Sequence, residues 1–95
     1  MDNARVWILD YMEQDFVRLI GICASAAAAK NYLINYFNYR IEENNEWLNE
    51  KEAKKENEII RNAQRYFEHY DFESMNIGQG TFFNGFGVSC EKLIT

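Results

Sequence analysis

Two apolar runs open the chain, Arg5-Val6-Trp7-Ile8-Leu9-Asp10-Tyr11-Met12 and Phe16-Val17-Arg18-Leu19-Ile20-Gly21-Ile22-Cys23, with the polar break Glu13-Gln14-Asp15 between them. Both runs are rich in β-branched and aromatic residues, which pack well on a pleated surface, so the pattern predicts an N-terminal β-hairpin. In the first strand Val6 and Ile8 fall on one face and Trp7, Leu9 and Tyr11 on the other. Neither face is polar, and the expectation is a central strand covered on both sides.

The period then lengthens. Ser25 is a good N-cap, four alanines follow it, and Tyr32, Leu33, Tyr36, Phe37 and Ile41 recur at helical spacing. This predicts a first helix from Ala26 to Arg40 or slightly beyond. Asn44 and Asn45 interrupt good helix formers, after which Trp47, Leu48, Ile59, Ile60, Ala63, Tyr66, Phe67 and Tyr70 give a second apolar pattern. A second helix is expected from Glu46 to His69. With no Gly or Pro between the helices, an antiparallel pair and one kinked rod both fit, and the pair packs better in a small domain.

Four of the five glycines lie between Gly78 and Gly87, marking the loop-like region of the chain. Asn84-Gly85 suits a type I′ turn, which makes Thr81–Phe83 and Phe86–Cys90 the arms of a short hairpin and Val88–Ile94 the last strand. The sum is a single α+β domain over residues 1–95. It consists of an N-terminal β-hairpin, two helices (an antiparallel pair or a kinked rod) and a C-terminal β-hairpin, with a small, mostly antiparallel sheet.

Composition sharpens this in three ways. At 95 residues and 47% hydrophobic there is material for one core, and the 15 Phe, Tyr and Trp residues are expected to dominate its packing. A net charge of -5 disfavours direct nucleic-acid binding, which needs clustered Lys and Arg. No run approaches the length of a membrane span, so no membrane targeting is expected, and two cysteines, too few for a disulfide scaffold, lead to the expectation of a cytoplasmic protein.

Candidate chemistry is sparse. The lone histidine, His69, reads as a surface or helix-capping residue rather than a catalytic base, because no nucleophile can be placed beside it from sequence. Cys23 and Cys90 read as reduced core residues, and one His with two distant Cys does not make a zinc site. No catalytic residue, metal or cofactor is expected, and the chain is read as non-enzymatic. The glycine run lacks the Gly-Lys-Ser/Thr ending of a P-loop. It leaves either an aromatic hairpin that completes the core or a loop, Phe82, Phe83, Asn84 and Phe86, that stacks on a small ligand such as a nucleotide.

From Glu42 to Glu58 there are seven glutamates against three lysines, so most of the excess charge is local. Glu50 with Lys54 and Glu52 with Lys55 are spaced to pair along a solvated helix face. The functional expectation is an acidic helical face, Glu42, Glu43, Glu46, Glu50 and Glu56, that docks a basic protein, with Trp47 as anchor. That idea requires Trp47 to be exposed. Tyr32, Tyr36, Tyr39, Tyr66 and Tyr70 supply more aromatic helix surface than the core needs, which makes a homodimer or an assembly role the further expectation; Tyr39 is the most telling, since it lies off the Tyr32–Tyr36 stripe and is expected to be exposed in a monomer.

Val6-Trp7-Ile8-Leu9, then Leu19-Ile20-Gly21-Ile22-Cys23-Ala24-Ser25 and Ala29-Lys30-Asn31-Tyr32-Leu33, resembles small uncharacterised phage and Firmicute proteins. In those a hairpin ends in an Ile-Gly-x-x-x-Ser turn into an alanine-containing helix. The resemblance covers the first third of the chain and carries no catalytic residues. It implies a phage or mobile-element setting in an AT-rich bacterium. In such a setting the acidic helical face leads to the expectation of a basic host protein as partner, an inhibited nucleic-acid-binding defence or regulatory factor fitting that role.

Overall fold

A computed structural model describes residues 4–94, and the α+β class and both hairpins are as expected. Strands β1 (Arg5–Glu13) and β2 (Phe16–Cys23) form the first hairpin, followed by helices α1 (Ala26–Trp47) and α2 (Glu50–Glu68). After a short 3-10 turn at Phe72–Ser74 come β3 (Gly80–Phe83) and β4 (Phe86–Lys92). The four strands make one antiparallel sheet in the order β2-β1-β4-β3, so β1 is central as its apolar content predicts.

The register decides what each face carries. Leu9 stands opposite Gly21 while Asp10 stands opposite Leu19, so Ile20 is an extra residue in β2, a bulge that reverses the in-out phase along that strand. Trp7, Leu9, Tyr11, Phe86, Val88 and Cys90 therefore share the face beneath the helices. The other face is open. Coverage of β1 is thus one-sided, which corrects the two-sided expectation, because both helices pack on the same side of the sheet.

Helix α1 starts where Ser25 Oγ accepts a hydrogen bond from the backbone N–H of Ala28 at 3.1 Å. Its buried stripe is Ala26, Ala29, Leu33, Phe37 and Ile41, the three- and four-residue spacing of a single helix face. The helix runs to Trp47, seven residues past Arg40, and Trp47 ends α1 instead of opening α2. The stop is at Leu48, whose extended backbone breaks the helical ladder, and at Asn49, whose side chain caps α2 by accepting from the Glu52 N–H at 2.8 Å. Glu50 and Glu52 then sit in the first turn of α2, where carboxylates suit the positive end of the helix dipole.

The helices form an antiparallel pair. Asn44 donates to Asn57 at 3.0 Å, Asn57 donates to Asn45 at 2.8 Å, and at the other end Lys30 Nζ caps the Glu68 carbonyl at 2.8 Å. These bonds satisfy polar groups at the helix seam while Phe37, Ile60, Ala63 and Phe67 fill the core below it.

At the second hairpin Asn84 (φ 52°) and Gly85 (φ 90°) adopt the left-handed pair of conformations that a type I′ turn requires. The glycine-rich stretch is mostly strand, with Gly80 inside β3 and Gly87 inside β4, because cross-strand pairing orders it. The last strand begins at Phe86 and ends at Lys92, leaving Leu93 and Ile94 outside it.

Candidate functional site

The feature that hydrophobic patterning did not single out is the uncovered face of the sheet. In register across the four strands lie Leu19, Asp10, Gly87 and Phe82, flanked by the row Ile22, Ile8, Ser89, Gly80 on one side and by Val17 and Met12 on the other. Met12, Val17, Leu19, Ile22 and Phe82 are between 48% and 62% exposed. An antiparallel sheet with one wet face normally makes that face polar, and contiguous apolar patches of this kind mark interaction sites.

The charges on this face are of one sign. Asp10 and Glu91 occupy strand positions on it, and no lysine or arginine does. Burial pushes the Asp10 carboxyl above its ordinary value of 3.8, with no hydrogen bond or neighbouring cation acting in the opposite direction. A carboxylate disfavoured in the folded chain destabilises it fully at pH values above the raised folded-state pKa. That penalty vanishes below the unfolded value, where both states are protonated. Asp10→Asn is therefore expected to stabilise the chain by less than about 1 kcal/mol at neutral pH, since the group is partly solvated. Urea titrations of both proteins should show the gain shrinking as pH falls through the carboxyl's range, and equal stability at neutral pH would contradict the placement of Asp10.

Of the acidic helical residues, Glu42, Glu43 and Glu46 lie in the last two turns of α1, Glu50 in the first turn of α2 and Glu56 in its second. Trp47 is 76% exposed, as an anchor requires. It shares with Glu43 a groove of about 680 Å³ between β2 and α1, lined also by Leu19, Tyr36 and Arg40. Tyr39 donates to Glu43 at 2.9 Å there, and that bond to a carboxylate holds its phenol above the ordinary value. Glu50 belongs to a different groove of about 700 Å³ beside Lys54, Glu58 and Arg61. Glu42, Glu46 and Glu56 are exposed and line neither.

Among the described residues the ion pairs within 4 Å are Arg5–Glu73 and Arg18–Glu13, so neither Glu50–Lys54 nor Glu52–Lys55 is closed. Both pairs remain solvated side chains of α2. Exposed pairs gain too little to hold long side chains in one geometry.

The aromatic loop is divided by the hairpin. Phe86 is buried in the core, Phe83 stacks on Tyr66 with ring centroids 4.6 Å apart, and the Asn84 amide donates to the Ile59 carbonyl at 3.2 Å. Of the four candidate ligand residues only Phe82 offers a free aromatic face, and it belongs to the open sheet face. The tyrosines divide likewise. Tyr36, Tyr66 and Tyr70 are half-buried against the core, while Tyr32 and Tyr39 are exposed.

Cys23 and Cys90 are free thiols on the strands flanking Trp7, which stands opposite both. Two strand spacings, about 9–10 Å, separate them, beyond disulfide reach. Burial pushes both thiols up, away from the thiolate that a nucleophile needs. His69 is exposed at the C-terminal end of α2. Among the described residues no His, Cys, Asp and Glu cluster could hold a metal ion, and no helix is long and apolar enough to cross a membrane.

No protein-family model matches the chain, and neither a curated protein nor a solved structure matches it significantly.

The open face was hidden by the bulge. Strict alternation along β2 puts Leu19 and Ile22 on opposite faces, whereas the extra residue Ile20 brings them together. The legible signal was the second apolar phase of β1, Ile8 and Met12, on either side of Asp10.

Proposed function

We propose that this chain is a non-enzymatic protein-binding module that seats a basic, apolar-faced polypeptide on the open face of its sheet. The observation that carries the reading is an apolar face whose charges among the described residues, Asp10 and Glu91, are both anionic. Apolar burial supplies the attraction and charge of one sign selects the partner. A second copy seated face to face brings carboxylates against carboxylates, so the face favours a basic partner over a homodimer. In the phage or mobile-element setting that residues 6–33 resemble, a nucleic-acid-binding host protein has the basic surface required.

A second surface is favoured by one observation, the exposure of Trp47 at the tip of the helical pair. Glu42, Glu43 and Glu46 lie near the C-terminal end of α1, where no basic residue complements the negative end of the helix dipole. Three carboxylates placed against the dipole, beside an exposed Trp, fit an anchor and acidic rim for a basic pocket.

Selection of a random peptide display library on the immobilised chain, followed by amide chemical-shift mapping of the enriched peptide, separates the two surfaces. The expected map covers Ile8, Leu19, Ile22 and Phe82, and Leu19→Ser with Ile22→Ser should weaken binding at least tenfold. A map confined to Glu43 and Trp47 would move the site to the helical tip. Failure to enrich any peptide would remove the binding-module reading.

A further inference from the structure

The open face has a depression at its centre. Gly87 stands opposite Asp10 in the register, and a methyl group built on it would collide with the Asp10 carboxylate and touch the Phe82 ring at 3.6 Å. The carboxylate thus leans over the place where β4 has no side chain. On the far side of that gap, Phe82 rises from β3, directly paired with Gly87. Asp10, Met12, Val17, Phe82 and Ser89 surround a recess of about 390 Å³ over Gly87.

The chemistry of this recess is mixed in a specific way. Its walls are a thioether, a branched aliphatic chain and a phenyl ring, and its one charged group is a carboxylate that no cation of the described chain reaches. A purely apolar side chain entering it would strip water from Asp10 and give nothing in exchange. An acidic one would be repelled. A long basic side chain satisfies every wall at once, its methylene stem lying along Met12 and Val17, its head against Asp10, with the Phe82 ring offering a face to the cation. The missing side chain at position 87 is what lets the Asp10 carboxylate lie over β4 and face the recess.

We propose that this recess is the specificity pocket of the sheet face and receives one lysine or arginine side chain of the bound polypeptide. The inference rests on the sheet-face reading and adds to it a fixed position for the partner's charge. Apolar neighbours on either side of that residue, at alternate positions of an extended partner, then cover Ile8, Leu19 and Ile22.

The test uses the full chain and the peptides enriched on it. Wild-type selection should yield a basic residue at one fixed position between apolar ones, and the consensus peptide made synthetically is the probe. Its affinity is measured for wild-type and Asp10→Asn, each with the consensus peptide and with the same peptide carrying alanine at the basic position. Asp10→Asn keeps the side chain's size, so the fold is retained, and the amide spectrum verifies it. The expected result is about a tenfold loss from either single change and little further loss when both are combined, the signature of a direct pair. Gly87→Ala, which fills the recess floor, should reproduce the loss. Independent, additive effects of the two changes, or an enriched peptide with no basic residue that still maps to Ile8 and Leu19, would overturn the pocket while leaving the sheet-face reading standing. Enrichment of nothing would overturn both.

Discussion

Replacing Phe86 by alanine is expected to cost about 3–5 kcal/mol, a large part of the total stability, since a chain of this length is held by only about 5–14 kcal/mol. Phe86 is 1% exposed and sits where three elements meet: its ring centroid is 4.7 Å from Tyr11 of β1, 4.8 Å edge-on from Phe37 of α1, and 6.3 Å from Tyr36. Truncation leaves a void between sheet and helix that neither layer can close alone, because the sheet is held by its ladders and the helix by its own packing against α2. Urea unfolding followed by tryptophan fluorescence measures the loss, best in a Trp47→Phe background so that buried Trp7 is the reporter. A loss under about 1 kcal/mol would mean that Phe86 is not the keystone of the core.

The second large effect is expected at Trp7. Its ring is buried in the central strand, and its Nε1–H donates to the carbonyl of Phe72 at 3.1 Å, tying the short turn after α2 to the sheet. Arg5 adds to that tie by donating to the Glu73 and Met75 carbonyls. Trp7→Phe keeps an aromatic ring but strands a buried carbonyl, a loss of about 1–3 kcal/mol from the unmet bond, while Trp7→Ala adds a cavity and should reach about 3–5 kcal/mol. Hydrogen exchange distinguishes the causes. In Trp7→Phe the amides of Ser74 and Met75 should lose protection before those of β1 and β4, and uniform loss across the sheet would show that the hydrogen bond has no separate part.

The elements with the strongest periodicity were legible from sequence. Leu33, Phe37 and Ile41 announce the buried stripe of α1, and Asn84-Gly85 announces the last turn. The boundary between the helices was misplaced because Asn44 and Asn45 look like a break, whereas their amides are occupied by Asn57 on the opposite helix. The actual start signal is a capping pattern four residues further on, Asn49-Glu50-Lys51-Glu52, in which the Asn side chain takes the N–H of Glu52. Charge counting drew attention to the glutamates, two of which, Glu50 and Glu52, have a local task at the start of α2.

The site was less legible than the fold. A face is built from residues far apart in sequence, and its composition follows from register, which a single inserted residue can reverse. Phe82 and Phe86 look alike in the sequence, four residues apart in one glycine-rich stretch. The hairpin turn places one on the open face and the other in the core.

The pairing of β1 with β4 also orders events in time. Trp7 stands beside Cys90 and Leu9 beside Val88, so the middle of the sheet joins segments made early in synthesis to segments made late. The first hairpin and the helical pair are local and can form as they emerge, but the central strand keeps one unpaired edge until β4 arrives to close a long loop. Gly87, Ser89 and Phe82 arrive with it. A nascent chain therefore has Asp10 but no recess beside it until β4 docks and closes the core.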